Sequence, residues 1–452
     1  MSSITTDMDM AAPGRAGAPP NVRAIRGELR VLAVAAVTMI IFCALQLLAI
    51  LRLTGTQGIA PLLLTSYRVL DVMVVLTFLI YCRPLLRMRF EDVLLIVFAT
   101  YPMLIGLGRG QLTFTYFNDI AIYWLFLAKI VIFRTVLRRV DDVAGIDAAF
   151  ARHARRIVFF SGLFAVLALA WALLLVGAGV RFLYQAPAEI IFASGYVLAK
   201  GHVLAYTGFV VLALLAGKRM VMVGVIGMGL LASLANGRIR RATLKILPVA
   251  LVLVPVVFVL LPMIAGIESP ILNRLILTFE RVQSAYASSG DFLEFLMRID
   301  PARFAEYVSL RPHLTGWQLA FGNGFGFRYE LDAAFWSYIG YEDKGDITNA
   351  HFTPLAIVAK FGLLGLALWL MVLWRAFFAP INKASFLQQA GRLALFGAVL
   401  ESLFAFGFFI SVFVPFYIAL TTMGRARPHV PEQRRRGMLS RLMPGSRAVR
   451  RA

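Results

Sequence analysis

Apolar runs of about 15 to 25 residues recur along this chain, divided by short basic stretches, and one polar interval, 266 to 350, breaks the pattern. Runs of that length suit helices crossing a hydrocarbon core of about 30 Å, where a helix alone satisfies its own backbone groups. The pattern predicts helices near 31–51, 60–82, 91–108, 112–133, 157–179, 182–199, 203–217, 219–235 and 246–265, then 352–374, 392–405 and 409–423. Lys200-Gly201-His202 is read as the turn inside the 180–217 interval, where both crossings are short for a bilayer and a single tilted helix would change the parity. The last two helices are short and broken around Phe406-Gly407-Phe408. The expected fold is an all-α polytopic membrane protein of about 12 transmembrane helices, with one large, partly helical outer loop before helix 10. Its divisions are a Pro/Gly/Ala-rich tail expected to be disordered over 1–30, nine helices over 31–265, the loop 266–350, three helices over 351–423 and a basic tail over 424–452.

Composition agrees with this class, at 60% hydrophobic and 15% charged residues. The net charge of +21 would point to nucleic acid in a soluble chain, but here the basic residues cluster between apolar runs, which marks cytoplasmic loops and argues against a nucleic-acid partner. The segment from 424 carries nine Arg against Glu432 alone, which puts that tail inside. Arg83, Arg87 and Arg89, then six Arg between 134 and 156, then Arg238, Arg240, Arg241 and Lys245 mark further inside loops. The 266–350 interval holds seven basic and eleven acidic residues, so it belongs outside. Both termini are then cytoplasmic. The apolar run after Arg30 is too long for the core of a cleavable signal and reads as a first span. Cys43 and Cys82 read as small core residues, with no disulfide or metal framework.

Ionisable residues inside predicted helices are functional suspects, namely Arg68 with Asp71 at i, i+3, Asp119, Glu189 and Glu401. Arg68 and Asp71 most simply pair with each other; the competing role for Arg68 is contact with a pyrophosphate or lipid headgroup. The outer loop is rich in aromatics, from Phe292 to Tyr341, which pack it on itself and on the headgroup layer or stack on sugars. Gly322-Asn323-Gly324-Phe325-Gly326 reads as a shaped turn, since no strand precedes it to make a nucleotide motif.

Three elements stand in order. Gly217-Lys218-Arg219 opens an apolar helix, Arg303-Phe304-Ala305-Glu306-Tyr307 precedes the glycine-rich turn, and His351 precedes Phe361-Gly362-Leu363-Leu364-Gly365-Leu366. Over roughly 200 to 425 the series resembles the O-antigen ligase and O-antigen polymerase superfamily of bacterial inner-membrane glycan transferases. It departs from that pattern in two places: Phe352 follows His351 where the family has Asn, and Lys218-Arg219 replaces Ser-Arg.

The resemblance implies transfer of a glycan from undecaprenyl pyrophosphate to an acceptor-glycan hydroxyl on the periplasmic face, by a multi-pass protein of the inner membrane. The acceptor is a growing exopolysaccharide or O-antigen for a polymerase, the favoured member, and a lipid A core for a ligase. Other polysaccharide-assembly proteins are candidate partners. As the sugar bond breaks, negative charge grows on the pyrophosphate, and guanidinium groups stabilise it through bidentate bonds. Arg219 and Arg303 match the family positions; Lys218, Arg298 and Arg311 are further pyrophosphate or substrate contacts, with Arg68 as above. His351 is the expected general base, because imidazole suits proton removal at neutral pH. His153, His202, His313 and His429 lack such a setting and are read as non-catalytic. No cofactor is expected. Glu342, Asp343 and Asp346 read as a hydrated acidic turn and Asp7-Met8-Asp9 as part of the cytoplasmic tail, so no metal site is expected either. The competing classes are a secondary transporter or glycan flippase, which would set its polar residues at the midplane on broken helices, and a scaffold that needs no ordered Arg, Arg and His.

Overall fold

A computed structural model of the chain describes residues 22–51, 60–82, 89–177, 190–215, 219–235, 301–331, 347–403 and 407–424, with 284, 286, 287 and 290. Outside them lie the expected helix 246–265, both tails beyond 22 and 424, the Arg238 cluster, Lys218, Arg298, Glu189 and the acidic turn at 342–346.

Among the described residues the chain is mostly helical and has no strand; its one strand-like pairing is an isolated antiparallel bridge between Tyr329 and Ile347. In chain order the helices are α1 (Arg26–Leu51), α2 (Ala60–Tyr81), α3 (Phe90–Gly108), α4 (Phe114–Ala144), α5 (Ile146–Gly177), α6 (Ile190–Ala199), α7 (Val203–Leu215) and α8 (Arg219–Ala235). After the undescribed interval come α9 (Pro301–Leu310), α10 (Trp317–Phe321), α11 (Thr353–Phe378), α12 (Phe386–Ser402) and α13 (Phe413–Thr422). Within the described residues five helices, α1, α3, α4, α5 and α11, are long and apolar enough to cross a membrane. Large apolar side chains such as Ile80, Phe114, Trp374 and Phe378 stand exposed on the outer faces, as lipid contact requires. The protein is an all-α membrane protein.

The helices pack through small residues and rings. Helix α12 lies against α6 and α8, and a Cβ on Gly224 would come within 2.7 Å of the Gly397 carbonyl oxygen, so α8 and α12 approach as closely as backbones allow. Helix α13 lies against α4, and Phe192 of α6 stacks on its Tyr417 at 6.0 Å. Helix α11 lies against α3, with Phe98 and Phe361 stacked at 4.2 Å.

Sequence-based boundaries change in places. Residues 22–30, expected in a disordered tail, form a 3₁₀ turn and the first turn of α1, held because Ile25 is buried and the buried Glu28 pairs with Arg139 at 2.6 Å. The stretch 134–156, expected as a basic inside loop, is instead the helical ends of α4 and α5 joined at Gly145. Part of its charge is partnered: Arg134 is buried against Asp92, and Asp147 accepts the Leu387 N–H at 2.8 Å. Within 180–217 the described part is two antiparallel helices, α6 and α7, joined through Lys200-Gly201-His202 as expected, with Gly201 at φ 76.

Candidate functional site

Helix α11 holds the key to the site, because it is broken. Gly362 adopts φ 65 and ψ −172, a conformation that L side chains avoid, and this removes the helical partners of the carbonyls just before it. Each finds another donor. The Ala359 carbonyl accepts the Asn323 N–H and the Lys360 carbonyl accepts the Gly324 N–H, both at 3.0 Å, while the Phe361 carbonyl accepts the Tyr101 hydroxyl. The glycine-rich segment after α10 is therefore a plug seated in the helix break. Its other side bonds α3 and α4, with the Phe325 N–H on the Pro102 carbonyl and the Gly326 N–H on Asp119 Oδ2, both at 2.9 Å. Glycine is required at 324, where φ is +85 and a Cβ would stand 2.4 Å from the Gly106 nitrogen. Phe325 stacks on Tyr123 at 5.2 Å. Asn323 closes the upper rim: its amide donates to the His313 and Ala359 carbonyls at 3.1 Å and its oxygen accepts from Arg109 at 2.7 Å.

Directly under the plug Asp119 also pairs with Lys360, at 2.6 Å, and both are buried. A second buried pair joins Asp71 of α2 to Lys129 of α4, with Arg68 Nη1 3.7 Å from the other Asp71 oxygen.

Above the plug a small separate core of Ala305, Leu310, Phe327, Tyr329, Ala350 and Ala356 ties α9 to the start of α11. It seats Glu306, which is buried yet accepts the His351 backbone N–H at 2.9 Å and faces Nδ1 of the His351 ring. The His351 side chain is half exposed, so the carboxylate fixes one nitrogen and leaves Nε2 toward the open side. Arg303 is half-buried one turn before Glu306 on α9, and Arg311 is exposed in the 3₁₀ turn that follows the helix. Tyr329 is buried beside Glu306, and its hydroxyl has no hydrogen-bond partner among the described residues. Burial, and then the charge of Glu306, push its phenol up.

Of the residues singled out in the sequence, His351 pairs with Glu306 of α9, the helix that also carries Arg303 three residues earlier, and Arg311 lies in the 3₁₀ turn that follows that helix. Arg219 begins α8, whose contacts are with α12, α6 and α7, and its side chain is outside the described residues. Arg68 belongs to the buried charges under the plug rather than to the His351 group. Lys129 and Lys360 have no sequence signal; Glu306 has one, as an acid at i+3 from Arg303 within the Arg303–Tyr307 motif, and Tyr329 is one of the outer-loop aromatics. Among the described residues no group of three metal-ligating side chains is assembled. Comparison with protein-family models, curated proteins and solved structures gives no match.

Proposed function

We propose that this protein transfers a glycan from undecaprenyl pyrophosphate to an acceptor-glycan hydroxyl on the periplasmic face of the bacterial inner membrane. The observation that carries the reading is the Glu306–His351 pair, held on the helix that bears Arg303. Glu306 orients the ring and stabilises the imidazolium, so Nε2 takes the proton of the attacking hydroxyl. The acceptor oxygen bonds to the anomeric carbon, and the bond from that carbon to the phosphate oxygen breaks. Its electron pair leaves with undecaprenyl pyrophosphate. Arg303 and Arg219, assisted by Arg311, Lys218 and Arg298, stabilise that charge without needing a metal. The topology that goes with this reading has twelve crossings, a periplasmic 266–350 loop and both termini in the cytoplasm. The acceptor is a growing repeat-unit polymer; in the alternative it is a lipid A core.

The test is to incubate purified protein with an undecaprenyl-pyrophosphate oligosaccharide and separate acceptors. Longer glycan with released undecaprenyl pyrophosphate is expected from repeat-unit acceptor, and transfer to lipid A core alone would make it a ligase. Absence of release with either acceptor would overturn the reading. A second reading, a secondary transporter, is favoured by one observation, the buried Lys360–Asp119 pair at a broken helix. It ranks behind because the break is filled by the protein's own plug, whose N–H groups occupy the freed carbonyls.

A further inference from the structure

The plug lies deep along the helices that hold it. Helix α3 runs 19 residues between Arg89 and Arg109, about 28 Å at about 1.5 Å per residue, which matches a hydrocarbon core of about 30 Å with an arginine at each surface. Pro102, whose carbonyl accepts the Phe325 N–H, lies six residues in from the Arg109 end, or about 9 Å. Asp119, which accepts the Gly326 N–H, lies five residues inside α4, or about 8 Å. The Ala359 and Lys360 carbonyls lie six and seven residues inside α11, or about 9–10 Å. Three helices give the same depth. Ala320 of α10 reaches further, because a Cβ on Gly362, nine residues inside α11, would stand 2.4 Å from its carbonyl group.

The chain here is suited to that depth. From Leu314 to Phe327 it holds no charged residue, although Arg311 and Arg328 bracket the stretch and both are exposed. Non-helical backbone inside hydrocarbon is tolerated only where the protein itself meets its polar groups. From Gly322 to Gly326 every N–H has an acceptor, the Gln318, Ala359, Lys360 and Pro102 carbonyls in turn and then Asp119, and all five residues are buried. Helix α10 is different: Trp317, Leu319 and Phe321 stay 48%, 38% and 45% exposed. The Arg109 guanidinium lies 4.8 Å from the centre of the Trp317 ring, which joins this face to the exposed Leu104 and Leu107 of α3 and Phe114 of α4.

We propose that α10 and the plug are a re-entrant element, dipping into the bilayer from the surface that carries His351, and that the exposed face of α10 contacts membrane lipid. Trp317 with Arg109 sits at the headgroups, where an amphipathic ring and a cation are both accommodated, and Phe321, one turn further along α10, lies among the acyl chains. The interval whose net charge places it outside the membrane thus returns to it between Trp317 and Gly326, and no acidic residue stands between Glu306 and Glu330 to oppose that. The inference is independent of the transferase reading.

The test uses the full chain with Cys43→Ala and Cys82→Ala, carrying Leu319→Cys, Phe321→Cys, Arg328→Cys or Leu370→Cys singly. Each cysteine is spin-labelled and the protein placed in vesicles of phosphatidylethanolamine and phosphatidylglycerol. Collisions with oxygen, which dissolves in hydrocarbon, are compared with those of a water-soluble nickel chelate. The oxygen-to-nickel ratio at Leu319→Cys and Phe321→Cys should exceed that at Arg328→Cys about tenfold and approach that at Leu370→Cys, on the exposed face of α11. Labels at 319 and 321 that meet nickel as readily as the Arg328→Cys label overturn the proposal. The unsubstituted chain is illuminated in the same vesicles with a phospholipid bearing a diazirine near the end of its acyl chain. Adducts within 317–321 are expected; adducts on α11 with none within 317–321 overturn the proposal even if the cysteine variants do not fold.

Discussion

Replacing Lys360 by methionine isolates the charge pair that supports the plug. At 2.6 Å the attraction between Lys360 and Asp119 is about 6 kcal/mol for an effective dielectric near 20. Removing both charges from water costs several kcal/mol per ion, so the pair is close to neutral overall. The single variant is different. Lys360→Met would leave Asp119 buried with the Gly326 N–H as its near partner, and such an unpaired charge costs about 3–5 kcal/mol. Adding Asp119→Asn removes the stranded charge while the new amide oxygen still accepts from Gly326, so the double variant should recover most of the loss. The assay is the thermal unfolding midpoint in detergent for wild type, Lys360→Met, Asp119→Asn and the double variant. The expected order puts Lys360→Met lowest and the double variant above it. A double variant no more stable than Lys360→Met, or a Lys360→Met protein as stable as wild type, would show that Asp119 does not depend on Lys360.

Three other outcomes follow from the same geometry. Gly324→Ala should lose at least about 2 kcal/mol, from a forced positive φ and a Cβ 2.4 Å from the Gly106 nitrogen, read as a lower unfolding midpoint; Gly110→Ala, with open space around it, is the control for φ alone. The raised Tyr329 phenol holds its proton in the folded protein above the ordinary value of 10.0, so its contribution to stability is intact below that pH and lost as pH rises beyond it. Tyr329→Phe should therefore flatten the alkaline fall of the unfolding midpoint. Glu306→Gln should lower turnover about 10²-fold with little change in KM for the donor, because the ring loses its orienting charge while the phosphate contacts remain.

Much of the helical layout was legible, and the reason is local. The helices at 60 and 219 and the turn at 200–202 follow from apolar length and a single glycine, so they fall where expected. The ends of α4 and α5 were not legible, because apolar length marks where lipid stops and says nothing of a helix that continues beyond it on Arg134–Asp92 and Asp147 contacts. The break at Gly362 lies inside a run that is apolar except for Lys360, and its stabilising donors lie far away in sequence. Lys360 and Asp119 are 241 residues apart, so nothing in the periodicity of either helix couples them. In the candidate site, His351 and Arg303 were legible through an ordered motif, whereas Glu306 becomes meaningful only when α9 turns it into the small core toward His351.

Undecaprenyl pyrophosphate release from a defined lipid-linked oligosaccharide reports whether His351 and the arginines drive glycan transfer from a lipid diphosphate. Release by purified wild-type protein, reduced at least about 10²-fold in His351→Ala and in Arg303→Ala and also reduced in Arg219→Ala, is the predicted result. Release that persists undiminished in all three variants would rule out catalysis by these residues.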